Sequence, residues 1–201
     1  MPTRLNAREI TFAAVMAALA NILALLSIGL TRVGQIGLDF SNLTVFVGGI
    51  FGGPFLGFLI GLLGGIFPGI EFGPLGGLGW LGLFGLTFGK SLTGLTVGIL
   101  CKMAGTSRKV GFRTALLVLT SYLPESLFTV FFFLALVPFF LGPVPWLSIG
   151  WLISVIVKGW LETLIMAVLL VALMRNAGFS NLIVNILGRS RDVAAEDRTK
   201  S

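Results

Sequence analysis

The chain has 201 residues, of which 56% are hydrophobic and only 11% are charged, and its mean hydropathy is +1.02. This composition excludes an ordinary soluble domain, because such domains carry about a quarter charged residues. The formal charge of +6 does not indicate a nucleic-acid partner, since the basic residues are scattered over loops and tails without interleaved aromatic residues. The chain is therefore predicted to be a single all-α polytopic membrane domain in the lipid bilayer.

The apolar segments predict six transmembrane helices, at about 20 residues for each span. In chain order they cover residues 10–30, 38–51, 54–70, 81–104, 114–141 and 147–174. The second segment is short for a full span, so a broken or re-entrant hairpin of the second and third segments is the alternative. We divide the chain into a six-helix membrane domain, residues 1–176, and a cytoplasmic tail, residues 177–201, which carries either a short interfacial helix or a frayed end.

The distribution of basic residues predicts the orientation of these helices. With six spans, both termini and the loops after the second and fourth helices lie on one side of the membrane. That side holds 11 of the 14 basic residues: Arg4, Arg8, Lys102, Arg108, Lys109, Arg113, Arg175, Arg189, Arg191, Arg198 and Lys200. Because cytoplasmic loops carry an excess of lysine and arginine, we predict that both termini are cytoplasmic.

The first predicted helix carries four alanines, Ala13, Ala14, Ala17 and Ala18, in two overlapping small-xxx-small patterns. Small residues at this spacing form a smooth strip on which another helix can pack. The strip is explained equally well by packing within the bundle and by docking of another subunit.

Four charged side chains lie well inside predicted helices: Lys90, Glu125, Lys158 and Glu162. Each would cost a few kcal/mol if it faced lipid at the middle of the bilayer, so all four must face the bundle interior. Lys158 and Glu162 are four residues apart and share a helix face. The four charges either hold the helices together or form a ligand site. Because buried ion pairs are poor stabilisers, the ligand site is favoured.

Ring side chains and loops near this cluster fit a small-molecule site. Tyr122 and Trp151 could supply flat apolar walls around a few polar groups, as small-molecule pockets require. The loops of residues 31–39 and 71–80 are polar or glycine-rich, and they either cap such a pocket or merely connect helices. With Asp39, at the beginning of the second predicted helix, the predicted substrate-binding residues are Asp39, Lys90, Tyr122, Glu125, Trp151, Lys158 and Glu162.

Several kinds of chemistry are not expected of this chain. It contains no histidine and a single cysteine, Cys101, so neither a Cys/His metal site nor an internal disulfide is predicted. It also lacks a phosphate-binding GxxxxGK[ST] loop, so any ATP must be used by another subunit. Intramembrane hydrolysis lacks its usual groups, because there is no histidine and no aspartate at the centre of a span. The chain is predicted not to be an enzyme and to bind no cofactor.

Over residues 5–176 the layout resembles the substrate-specific S components of energy-coupling factor (ECF) transporters. The resemblance rests on the alanine strip and on four stretches: LDFS at 38–41, GPFLG at 53–57, LTFGKSLTGL at 86–95 and VKG at 157–159. Three of these stretches, LDFS, GPFLG and VKG, are most similar to the riboflavin-type branch. Glu125 and Glu162 have no counterpart in that branch.

The resemblance implies a six-helix subunit in the plasma membrane of a prokaryote that binds a vitamin or similar micronutrient from outside. It implies association with a transmembrane coupling subunit and two cytoplasmic ATPase subunits, which use the ATP. In the family the alanine strip is the docking surface, and in the riboflavin-type branch the lysine that matches Lys158 contacts the ligand. The alternatives are a stand-alone small-molecule permease or channel subunit and a structural or assembly membrane protein.

Overall fold

The computed structural model describes residues 5–32, 38–105, 111–145 and 147–188, and it contains helices but no strand in these ranges. Ten α-helices are described. They are α1 (Ala7–Arg32), α2 (Ser41–Val47), α3 (Pro54–Gly64), α4 (Ile66–Phe72), α5 (Gly79–Ala104), α6 (Phe112–Ser121), α7 (Leu123–Phe131), α8 (Val137–Leu141), α9 (Ile149–Arg175) and α10 (Ala177–Leu187). Two π-helical turns, Gly48–Gly52 and Phe132–Leu136, follow α2 and α7.

Five helical stretches in the described residues are long and apolar enough to cross a membrane: Ala7–Leu30, Pro54–Phe72, Gly79–Ala104, Phe112–Leu141 and Ile149–Arg175. The second predicted span is shorter, because α2 and its π-turn together cover only Ser41–Gly52. The predicted all-α polytopic fold is confirmed. The count of six spans and the cytoplasmic position of both termini stay predictions.

Prolines explain where the long apolar segments are interrupted. A proline inside a helix removes one backbone hydrogen bond and its ring clashes with the carbonyl four residues earlier. Pro68 and Pro124 accordingly follow the interruptions at Gly65 and Tyr122, which separate α3 from α4 and α6 from α7. Pro138 follows the second π-turn, and π-turns are a recognised way for a helix to absorb such a local mismatch.

Glycines allow α3 and α5 to pack with their main chains in direct contact. A methyl group on Gly57 would overlap with the carbonyl of Gly94, and one on Gly94 would overlap with the carbonyl of Gly57. One turn along, a Cβ on Gly61 would lie 2.5 Å from the carbonyl oxygen of Lys90. Small-residue contacts of this kind are how helices associate in lipid, where apolar burial gives little driving force.

Asn21 joins α1 to the interruption between α3 and α4. Its Nδ2 donates to the carbonyl oxygens of Ala17 at 2.8 Å and Leu63 at 2.9 Å. Its Oδ1 accepts from the backbone N–H of Phe67 at 2.7 Å. The carboxamide therefore satisfies backbone groups that the interruption leaves without helical partners.

Part of the predicted tail is helical. Asn176 caps α10 by accepting from the backbone N–H of Phe179 at 3.2 Å. Ile183 and Leu187 of this helix are buried in the same core as α1 and α9, whereas Leu182 and Ile186 are exposed. The rest of the tail, residues 189–201, lies outside the described residues, as do residues 33–37 of the predicted first loop.

Candidate functional site

A cavity of about 540 Å³ lies in the half of the bundle that is remote from the start of α1. Its wall includes all seven residues predicted to bind substrate: Asp39, Lys90, Tyr122, Glu125, Trp151, Lys158 and Glu162. Small-molecule sites in proteins have volumes of roughly 300–1,000 Å³ and combine apolar walls with a few polar groups. The structure thus brings the predicted residues together in a space of suitable size, and their binding role stays a prediction.

Lys90 is held by polar groups at the beginning of α2. Its Nζ lies 3.3 Å from Oδ2 of Asp39 and donates a hydrogen bond to Oγ of Ser41. The backbone N–H of Ser41 donates to Oδ1 of Asp39 at 2.9 Å. Asp39 therefore joins the Lys90 ammonium of α5 to the first residue of α2.

Glu162 connects α9 to the same segment. Its Oε1 accepts a hydrogen bond from the backbone N–H of Asp39 at 2.8 Å and lies 3.6 Å from Nζ of Lys158. The Glu162 side chain is 12% exposed, whereas the Lys158 side chain is 49% exposed. Lys158 therefore has one carboxylate neighbour and room to turn towards another group.

Glu125, on α7, occupies a different setting from the other two carboxylates. Its Oε2 accepts a hydrogen bond from Oγ1 of Thr93, on α5. No lysine or arginine of the described residues lies within 4.0 Å of its oxygens. The charged residues in the helices therefore do not simply compensate one another. Lys90 pairs with Asp39, and the partner of Glu125 within the described residues is the hydroxyl of Thr93.

Aromatic side chains form the apolar wall of the cavity. Phe133 packs edge-to-face against Trp151 with ring centroids 5.1 Å apart, and Phe132 packs in the same way against Phe133 at 5.1 Å. Tyr122 packs edge-to-face against Trp160 with centroids 5.3 Å apart. Such pairs hold each other in place and leave ring faces and edges for a ligand.

Several lining residues were not selected from the sequence. Phe128, Phe132 and Phe133 gave no usable signal, because phenylalanines in a transmembrane segment more often face lipid or the core. Asn42 did give a usable signal in the sequence, because a carboxamide in an apolar helix needs a hydrogen-bonding partner. It is 8% exposed and lines the cavity next to Ser41.

The alanine strip is divided between two faces of α1. Ala13 and Ala17 are buried, each with 4% exposure, and they belong to the face of α1 that packs inside the bundle. Ala14 and Ala18 are exposed on the outside of the bundle. Ala13 and Ala17 are thus available for packing within the bundle. Of the four alanines, only Ala14 and Ala18 present a surface to another subunit.

The fold defines a polytopic membrane protein, and its internal cavity has a size that suits a small solute. The family model described as "ECF transporter, substrate-specific component" matches residues 8–174, and the chain belongs to this family. No curated protein and no solved structure matches the chain. The chain is thus a substrate-binding membrane subunit of an ECF transporter, which works with coupling and ATPase subunits, and its family is not one of enzymes.

Proposed function

We propose that the chain binds a vitamin-sized micronutrient with a flat ring system and a polar edge, and that riboflavin-type compounds are the first candidates. The observation that supports this proposal is the cavity of about 540 Å³, in which a wall of aromatic side chains packed edge-to-face accompanies lysine and carboxylate side chains. The aromatic wall suits the faces of a ring. The charged groups suit its polar edge, where hydrogen bonds fix orientation and give specificity.

The two ends of the cavity have different parts in this proposal. Phe133 and Trp151 would contact the ring. Lys158 and Glu162 would contact its polar substituents, because the half-exposed ammonium can exchange its carboxylate neighbour for a ligand group. The VKG stretch at residues 157–159, similar to the riboflavin-type branch, supports the same assignment for Lys158.

In the proposed transport step, other subunits use the ATP. We propose that the subunit lies in the plasma membrane of a prokaryote, takes its ligand from the external side, and releases it after joining a transmembrane coupling subunit and two cytoplasmic ATPases. The chain itself would bind no cofactor. With both termini in the cytoplasm, the cavity would open towards the outside, because it lies at the opposite end of α1 from the N-terminus.

Mass spectrometry of small molecules released from the purified subunit tests the ligand. The proposal expects one compound in near-stoichiometric amount, with the mass of a flavin or another ring-bearing vitamin. A subunit that releases no such compound, and binds none from a vitamin mixture, would contradict it. Uptake into liposomes that contain the subunit alone would instead support the alternative of a stand-alone permease.

The exposed alanines of α1 are the proposed docking surface for the coupling subunit. Replacing Ala14 and Ala18 by leucine adds bulk to an exposed helix face without filling the core. We expect the variant to keep its ligand and to lose copurification with the coupling and ATPase subunits. Ala172→Leu is the matched control, because Ala172 is also an exposed alanine in a spanning helix. Equal copurification of both variants with the partner subunits would refute docking at this face.

A further inference from the structure

Asn42 is a buried amide that lines the cavity, and one of its two polar side-chain atoms has no hydrogen-bond partner in the described part of the chain. It lies in the first turn of α2 and is 8% exposed. Its Oδ1 is the one buried side-chain nitrogen or oxygen without a hydrogen-bond partner in the part of the chain that the structure describes. Buried polar groups are almost always hydrogen-bonded, so an unpaired one on a side chain that lines a cavity is a candidate to pair with a bound ligand.

Asn21 shows how the same fold treats an asparagine with a structural role. It also lies in an apolar helix, yet its carboxamide makes three hydrogen bonds, to Ala17, Leu63 and Phe67. The unused oxygen of Asn42 is therefore not a general consequence of placing an amide in this bundle.

The surroundings of Asn42 hold it in a fixed position. Ser41 immediately before it is fully buried and is hydrogen-bonded to Lys90, and Thr44 and Val45 on the following turn are also buried. An acceptor on such a rigid element is preorganised, so little entropy is lost when a ligand donor meets it.

We propose that Asn42 is a specificity-determining residue, and that its carboxamide oxygen accepts a hydrogen bond from an N–H group of the bound ligand. This inference rests on the proposed function for the existence of a ligand in the cavity and adds a requirement on its chemistry. A ring with an imide or amide N–H meets that requirement. A compound of the same shape without the N–H leaves Oδ1 buried and unpaired, which is how a polar site rejects an analogue.

The first test needs no ligand and compares the thermal midpoints of Asn42→Leu and Asn21→Leu in the purified, ligand-free subunit. Leucine has a similar size to asparagine but makes no hydrogen bonds. We expect Asn21→Leu to lower the midpoint and Asn42→Leu to leave it unchanged or raise it, because Oδ1 of Asn42 has no hydrogen bond to lose among the residues that the structure describes. Equal losses in both variants would show that Asn42 is structural and would overturn the proposal.

The second test uses riboflavin and 3-deazariboflavin, which carries C–H in place of the imide N–H. For the unmodified chain we expect riboflavin to bind about 10-fold more tightly than the analogue, as for one hydrogen bond to a buried acceptor. Asn42→Leu should lose this preference. Unchanged riboflavin affinity in Asn42→Leu would overturn the proposal. If the unmodified chain binds no riboflavin, the flavin assignment fails and the ligand-free comparison still decides the role of Asn42.

Discussion

The two halves of the bundle use glycine in different ways. Between α3 and α5, Gly57 and Gly94 bring two main chains into contact. Across the cavity, Gly159 of α9 instead receives a side chain, because a methyl group there would overlap with the hydroxyl of Tyr122. The first contact is rigid because neither partner can rotate away. The second joins a helix to a side chain, so this molecule combines a half packed through its main chains with a cavity wall built from side chains.

The two intramembrane lysines also differ, in their polar partners and in their exposure. Lys90, on the packed helix α5, has two polar partners at the start of α2, and its side chain is 9% exposed. Lys158, on α9, has one carboxylate neighbour at 3.6 Å and is 49% exposed. An ammonium with buried, fixed partners stabilises the fold that holds it, whereas an exposed one can change partners. We therefore expect stability effects at Lys90 and binding effects at Lys158.

The largest effect is expected for Gly94→Ala, which tests whether the packed half is rigid. Filling a packed core costs about 1–3 kcal/mol and occasionally more. We expect the upper end of this range, because the new methyl group meets main-chain atoms of Gly57. The midpoint of thermal unfolding in detergent measures the change.

Gly29→Ala is the matched control for this substitution. Gly29 also lies in a spanning helix, and a Cβ there would have no atom within 4 Å. Alanine should leave its midpoint unchanged or slightly higher, because alanine favours helix over glycine. Similar midpoints for both variants would show that α3 and α5 can separate without cost, and the contrast between the halves would then be lost.

A smaller effect is expected for Lys90→Met, which removes an ammonium but keeps much of the side-chain bulk. Asp39 would lose its cation and keep its hydrogen bond from the Ser41 N–H. Breaking a fully buried pair costs roughly 3–5 kcal/mol, and we expect about 2 kcal/mol here because the Asp39 side chain is 27% exposed. Denaturation of the ligand-free subunit measures this loss. Lys102→Met, at an exposed site on the same helix, should change nothing; an equal loss there would contradict the special role of Lys90.

The parts of this structure that sequence could predict are those set by local chemistry. Hydropathy located the long apolar segments, and the glycines and proline around residues 48–54 marked the short second segment. Charged residues inside apolar helices had to face the interior, so Lys90, Glu125 and Glu162 could be assigned to one site. Their convergence on one cavity follows from this energetic requirement.

The remaining features depend on packing between distant parts of the chain. The partner of Lys90 is Asp39, 51 residues away, and helix spacing alone suggested no such pair. The division of the alanine strip was also unpredictable, because Ala13 and Ala14 are equivalent until the position of α3 is known. Asn42 was the residue that physical reasoning could have found, since an amide in an apolar helix requires a partner.

The smallest effect, and the one most specific to the cavity, is expected for Lys158→Met. Glu162 keeps its hydrogen bond from the backbone N–H of Asp39 when the ammonium is removed, so the stability of the ligand-free subunit should change little. Affinity for the copurifying ligand should fall by about 10-fold, or about 1.4 kcal/mol, as for the loss of one hydrogen bond to a charged group. Titration calorimetry and thermal midpoints on one preparation separate the two quantities, with Lys102→Met as the control. Unchanged affinity together with a large loss of stability would assign Lys158 to the packed half of the molecule and remove the contrast between the two lysines.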